Sequence, residues 1–164
     1  MEIRYMTPAD DRMSISRVYE ESWKFAYKNI IPQDYLDSIL EGQWVTNLDD
    51  TAWKTLVCIE DGMIVGTSSF CSSRLEKFTG WGEVISIYLL PDHMGKGYGK
   101  RLMESVIAEL KKLGYEDVFL WVLEENERAR RFYENFGFVP TDDFLDDNVG
   151  GRDLREVRYI YEIR

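Results

Sequence analysis

The chain reads as α/β (α+β), a mixed central β-sheet flanked by helices on both faces, and three observations predict it. In the second half, two β-branched or aromatic apolar runs each pass through a turn into a segment with helical apolar periodicity, the pattern of strand-then-helix units. Upstream, two further apolar runs meet at Asp61-Gly62, a strong signal for a tight antiparallel hairpin. The chain finishes in a strand that alternates Val157, Tyr159, Tyr161 and Ile163 with mostly charged residues. At 164 residues, one domain spanning 1–164 around a single core is expected.

Taken in order, Ile3 to Met6 is the first strand. Thr7-Pro8-Ala9-Asp10 supplies a helix start, with Thr as cap, Pro in the first turn and an acid three residues on, and the helix runs to about Tyr27. Ile31-Pro32-Gln33-Asp34 opens a short helix through Tyr35, Leu36, Ile39 and Leu40. Thr55 to Glu60 and Met63 to Phe70 are the hairpin strands, and Ser72 to Gly82 a loop or ragged strand extension. Glu83 to Leu90 is a buried strand. Tyr98 to Leu113 places Leu102, Val106, Ile107 and Leu110 on one helix face, and Gly114 ends that helix. Asp117 to Leu123 is the next strand, followed by a helix from about Asn126 to Phe136, capped by Asn126 and closed by Gly137. After Phe138 to Pro140, an acidic loop from Thr141 to Asp153 leads through Gly150-Gly151 into the last strand, about Arg155 to Ile163.

Composition narrows the function classes. A net charge of −10 argues against a nucleic-acid partner, whose phosphates such a surface repels, and mildly favours cationic substrates. The longest apolar run, Val118 to Leu123, is too short to span a bilayer, and the first residues lack the regions of a signal peptide, so no membrane association and a cytoplasmic location are expected. Cys58 and Cys71 lie in strand-like segments and form no ligand cluster, so they read as reduced core residues with no metal site.

The richest stretch is Met94-Gly95-Lys96-Gly97-Tyr98-Gly99-Lys100, between a strand and a helix. Three glycines in five positions let main-chain N–H groups approach a ligand, and the free amides of the helix start add partial positive charge. Lys96, Lys100 and Arg101 bring cations to the same place, which points to a phosphorylated ligand. The spacing fits neither the Walker A loop nor the dinucleotide fingerprint, because Lys100 falls where either motif counted from Gly95 requires glycine.

This loop resembles the pyrophosphate loop of the GNAT family of N-acetyltransferases, which reads Gln or Arg, two free positions, Gly, one free position, then Gly or Ala. Met94 departs at the first position, since its side chain cannot donate a hydrogen bond. A second motif, Asn126 to Phe138, is similar to the family's N-x-x-A-x-x-F-Y-x-x-x-G-F. The stretch from Ser22 to Leu40 also looks like the N-terminal region of small bacterial-type members, and the element order matches over essentially the whole chain.

The resemblance implies the GNAT acyl-CoA N-acyltransferase fold, with its fourth and fifth strands (Glu83–Leu90 and Asp117–Leu123) splayed apart, and acetyl-CoA as the co-substrate. It assigns cofactor binding to the main chain of Ile87, Tyr88 and Leu89, to Met94, Gly95, Lys96, Gly97, Tyr98, Gly99 and Lys100, and to Asn126 and Tyr133. Tyr133 is the expected acid for the departing thiolate, and Glu83 the expected base. Trp23, Tyr27, Tyr35, Glu83 and Trp121 are the expected substrate contacts, with the aromatic faces receiving an amine cation and core packing the competing reading of Trp23, Tyr27 and Tyr35. Glu124 with Arg128, Glu127 with Arg131 and Arg130 with Glu134 read as helical i,i+4 pairs. The implied activity is direct transfer of acetyl to a primary amine, a small amine or polyamine first, with a protein N-terminus or lysine as the wider alternative. A binding module that senses acyl-CoA without turnover is the alternative of a different class. A homodimer is the assembly considered.

Overall fold

The computed structural model describes residues 1–164. Seven strands form one sheet: β1 (Glu2–Tyr5), β2 (Lys54–Glu60), β3 (Met63–Ser72), β4 (Gly82–Leu89), β5 (Asp117–Leu123), β6 (Val139–Val149) and β7 (Arg152–Glu162), in the order β1-β2-β3-β4-β5-β7-β6. All pairings are antiparallel except β4 with β5, as the strand-then-helix pattern requires. Five helices cover it: α1 (Arg12–Ala26), α2 (Gln33–Asp37), α3 (Val45–Leu48), α4 (Tyr98–Lys112) and α5 (Glu127–Phe136). No helix is long and apolar enough to cross a membrane.

The main core lies between the sheet and α4 with α5. Leu102, Met103, Val106 and Leu110 of α4 pack on Phe70, Val84, Val118, Leu120 and Tyr159, and Phe132, Tyr133 and Phe136 of α5 close over them. The opposite face carries α1, where Ile15, Val18 and Tyr19 meet Val57, Cys58 and Val65. Both cysteines are free and buried, and burial pushes the Cys71 thiol up to about 11.

Asp61 (φ 49°) and Gly62 (φ 77°) both occupy the left-handed region that the two-residue hairpin turn demands. In β4 the register with β3 jumps from Ser69↔Ser86 to Phe70↔Val84, so Ile85 is an extra, bulged residue. The bulge places Val84 and Ile87 together against the main core and sends Ser86 to the α1 side, where Tyr19 Oη lies 2.8 Å from Ser86 Oγ.

Three expectations need correction. The first helix begins at Arg12 with Asp11 as its cap, its carboxylate accepting from Met13 N. Thr7 instead turns back on Asp10, whose carboxylate accepts from Thr7 N and from both Nη atoms of Arg4. The helix opened by Pro32 ends at Asp37, leaving Ile39 and Leu40 outside it. The acidic segment from Thr141 to Asp153 is not a loop: β6 runs to Val149 and pairs with β7 through a turn at Gly150-Gly151. Long-range pairing overrides the low strand propensity of its aspartates, which blunt an edge strand and engage Arg155, Arg158 and Lys77.

Candidate functional site

β4 and β5 pair only at Gly82↔Val118 and Glu83↔Phe119, and beyond these they part. The gap opens into a cavity of about 700 Å³ that passes through the sheet layer, with Ile85, Ser86, Ile87, Tyr88 and Leu89 on one wall and Trp121, Val122 and Leu123 on the other. Ser22 of α1 holds the end of β4 by donating to Leu89 O (2.6 Å).

One end of the cavity is the glycine loop. Gly95 (φ 76°) and Gly97 (φ 84°) take left-handed conformations, and a Cβ on either would meet only empty space. The N–H groups from Gly95 to Lys100 have no protein hydrogen-bond partner, and the first turn of α4 aims its partial positive charge the same way. Such a cluster of free amides suits an anion, with Lys100 beside it. Gly99 serves packing, since a Cβ there would stand 3.2 Å from the Phe132 ring. The loop is pinned to β2: Glu60 accepts from Tyr98 Oη through one oxygen, and its other oxygen lies 3.1 Å from His93 Nε2. His93 is thus part of the loop's anchor.

α5 forms the next wall. Asn126 caps it by accepting from Ala129 N (3.2 Å) and also lines the cavity. Tyr133 lies deep in it, and burial, with Tyr88 nearby, raises its phenol well above the ordinary range, so it keeps its proton. Of the expected helical pairs only Arg131–Glu127 forms, at 3.9 Å. Arg130 Nε donates instead to Tyr159 Oη, and Arg128 stacks over Phe25 of α1 (5.4 Å), bridging the cavity's rim. A flat ring or a buried hydroxyl outcompetes a flexible, solvated carboxylate for these guanidinium groups.

The far end is aromatic and acidic. Trp23, Tyr27, Trp121 and Tyr88 surround it, with the Trp23 Nε1 donor buried and unpartnered. Burial raises the Tyr88 phenol to about 12 and that of Tyr27 well above its usual value. Two carboxylates, Asp147 of β6 and Glu156 of β7, and the guanidinium of Arg74 complete the wall.

Of the residues expected from sequence, Ile87, Tyr88, Leu89, Met94, Gly95, Gly97, Gly99, Lys100, Asn126, Tyr133, Trp23, Tyr27 and Trp121 line this one cavity. Lys96 and Tyr98 are on the loop without lining it, Tyr98 having turned to Glu60. Tyr35 stands apart, packed with Leu36 and Leu154 and over the Gly150 turn. Glu83 is 1% exposed and outside the lining; Arg74 donates to it through Nε, Nη2 and the main-chain N. Sequence reasoning missed Arg74, Asp147 and Glu156. Asp147 lay in a segment read as loop, and Glu156 among the charged residues that alternate with the last strand's apolar ones.

Residues 15–138 match the model of the Acetyltransferase (GNAT) family. The chain is 30% identical over 152 residues to the uncharacterized N-acetyltransferase YuaI of Bacillus subtilis, covering 90% of this chain and 86% of that protein. It is 28% identical to the L-amino acid N-acyltransferase MnaT of Escherichia coli (86% and 81% covered), and 24% identical to the spermidine N(1)-acetyltransferase of Thermoplasma acidophilum (97% and 98%). Among solved structures, yncA of Salmonella typhimurium with its cofactor acetyl-CoA superposes with a TM-score of 0.76 at 22% identity, covering 100% of this chain and 94% of that one. With the splayed strands and the amide cradle in place, this match over most of the length settles the classification: the chain belongs to the GNAT acetyltransferase family.

Proposed function

We propose that this enzyme transfers the acetyl group of acetyl-CoA directly to the nitrogen of a small primary amine or polyamine, with no acetyl-enzyme intermediate. One observation carries the reading: a single cavity joins a cradle of unpartnered amides to an aromatic, carboxylate-bearing chamber through the gap between β4 and β5. The amides from Gly95 to Lys100 suit the diphosphate, the unpaired edge of β4 from Ile87 to Leu89 suits the amide-bearing arm, and the empty space at the Cβ positions of Gly95 and Gly97 leaves room for both approaches. Bound there, acetyl-CoA supplies an activated thioester. Tyr133, which lines the cavity and keeps its proton, is the proposed donor to the departing sulfur, a role its burial and raised phenol support. Cys58 and Cys71 are buried away from the lining, which supports direct attack over a covalent route. A relative named for spermidine and one named for L-amino acids both use amine acceptors, in keeping with this reading.

Calorimetric titration of acetyl-CoA and of free CoA tests it, whichever amine is the acceptor. Specific binding is expected in the wild type and its loss in Gly97→Trp, where the ring fills the cradle. Absence of binding to the wild type would remove the cofactor assignment and the activity built on it.

A further inference from the structure

Glu156 is a carboxylate that the fold has put in an uncomfortable place for no structural return. It sits on β7, half-buried, and lines the acceptor end of the cavity. No hydrogen bond or ion pair engages its carboxylate, whereas Asp143 and Asp146 on the neighbouring strand β6 are ion-paired to Arg158 and Arg155. Glu83 stands in the opposite situation, sealed from the cavity and gripped by Arg74. Asp147 is exposed at the rim and accepts from Asn148 N. Resting on the acetyl-transfer reading, we infer that Glu156 is the carboxylate that receives the acceptor's ammonium group and takes its proton, and that Glu83 is a positioning residue that fixes Arg74 at the chamber wall.

The surroundings agree with that division. Groups facing Glu156 come from every neighbouring element: Asp147 of β6, Arg74 of the β3–β4 connection, Glu83 and Tyr88 of β4, and Tyr27 of α1. Burial raises the Glu156 carboxyl above its usual range, Asp147 and Glu83 add to the effect, and Arg74 opposes it. Arg74 and Glu83 neutralise one another, so Glu156 and Asp147 leave the chamber net negative, a setting for a compact cation with aromatic walls.

The chemistry balances. One N–H bond of the ammonium breaks as an O–H bond forms on Glu156. The freed lone pair makes the C–N bond to the acetyl carbonyl carbon while the C–S bond breaks, and the sulfur leaves with its electron pair and takes the Tyr133 proton. The second proton lost from nitrogen restores Tyr133, and Glu156 returns its own to solvent, so one proton is released per turnover.

The test compares wild type, Glu156→Gln and Glu83→Gln, with spermidine and phenethylamine as the ammonium probes, thiol release as the rate and calorimetry for acetyl-CoA affinity. In Glu156→Gln, acetyl-CoA binding holds while kcat/KM falls about 100-fold, and the acidic limb of the kcat/KM profile, which rises as Glu156 loses its proton, disappears. In Glu83→Gln the acidic limb stays. A Glu156→Gln enzyme within about threefold of wild type with its acidic limb intact, or loss of that limb in Glu83→Gln alone, overturns the assignment. Failure of the wild type to bind acetyl-CoA is a different result, since it removes the underlying acetyl-transfer reading.

Discussion

At the scale of single residues, identical chemistry is sorted by environment. Glu83 and Glu156 differ in a partner: one is locked by three donors from Arg74, the other has none and keeps a raised carboxyl at the cavity wall. Tyr133 shows the same logic for a phenol, since burial, with no hydrogen bond to a protein acceptor, leaves its O–H free for a ligand. Replacing Tyr133 with Phe removes the proton donor and little volume, so kcat is expected to fall by roughly 100-fold while the calorimetric Kd for acetyl-CoA holds. A fall in affinity with kcat unchanged would make Tyr133 a binding residue only.

At the scale of elements, the loop before α4 works because two features coincide. Its glycines allow left-handed backbone at Gly95 and Gly97, and the bracket formed by Glu60 with Tyr98 and His93 keeps the exposed amides in register. Preorganised donors bind an anion without first losing backbone entropy. Glu60→Ala breaks the bracket at a distance from the cavity and is expected to weaken acetyl-CoA binding by about 3- to 10-fold with little effect on saturated turnover. Calorimetry beside steady-state rates separates the two. The β4 bulge is the second element-scale device, because Ile85 shifts the strand's faces midway and lets β4 serve the main core with Val84 and Ile87 and the α1 side with Ser86.

At the scale of the whole molecule, the proposed acceptor chamber depends on segments far apart in sequence. Arg158 of β7, 5% exposed, lies over Phe78 (3.5 Å), Trp81 (4.6 Å) and Phe119 (4.7 Å) and donates to Asp143. It fastens the β3–β4 connection that carries Arg74, the β6 edge and β5 to one another. Its guanidinium is held below its ordinary pKa by burial, with Asp143 opposing, yet the aromatic faces and one carboxylate keep it charged. Arg158→Ala empties this box, and we expect a loss of about 2–4 kcal/mol in denaturant unfolding, together with a rise in KM for amine acceptors as Arg74 and Glu156 lose their mutual placement. Unchanged stability would mean that the box is packing without consequence.

Much was legible from sequence because it rests on short-range chemistry. The hairpin turn, the glycine loop, the Asn126 cap and the apolar face of α4 each depend on residues within a few positions of one another, where backbone sterics and periodicity decide. Element order, and with it the family, followed. What only the tertiary structure decided was partnership. Thr141 to Asp153 became a strand because β7 offered a pairing edge, Glu83 was withdrawn because Arg74 reached it, and Glu156 was left free at the chamber wall. A charged residue's role is set by the groups that fold around it, and those contacts, remote in sequence and strong only out of water, leave no local pattern to read.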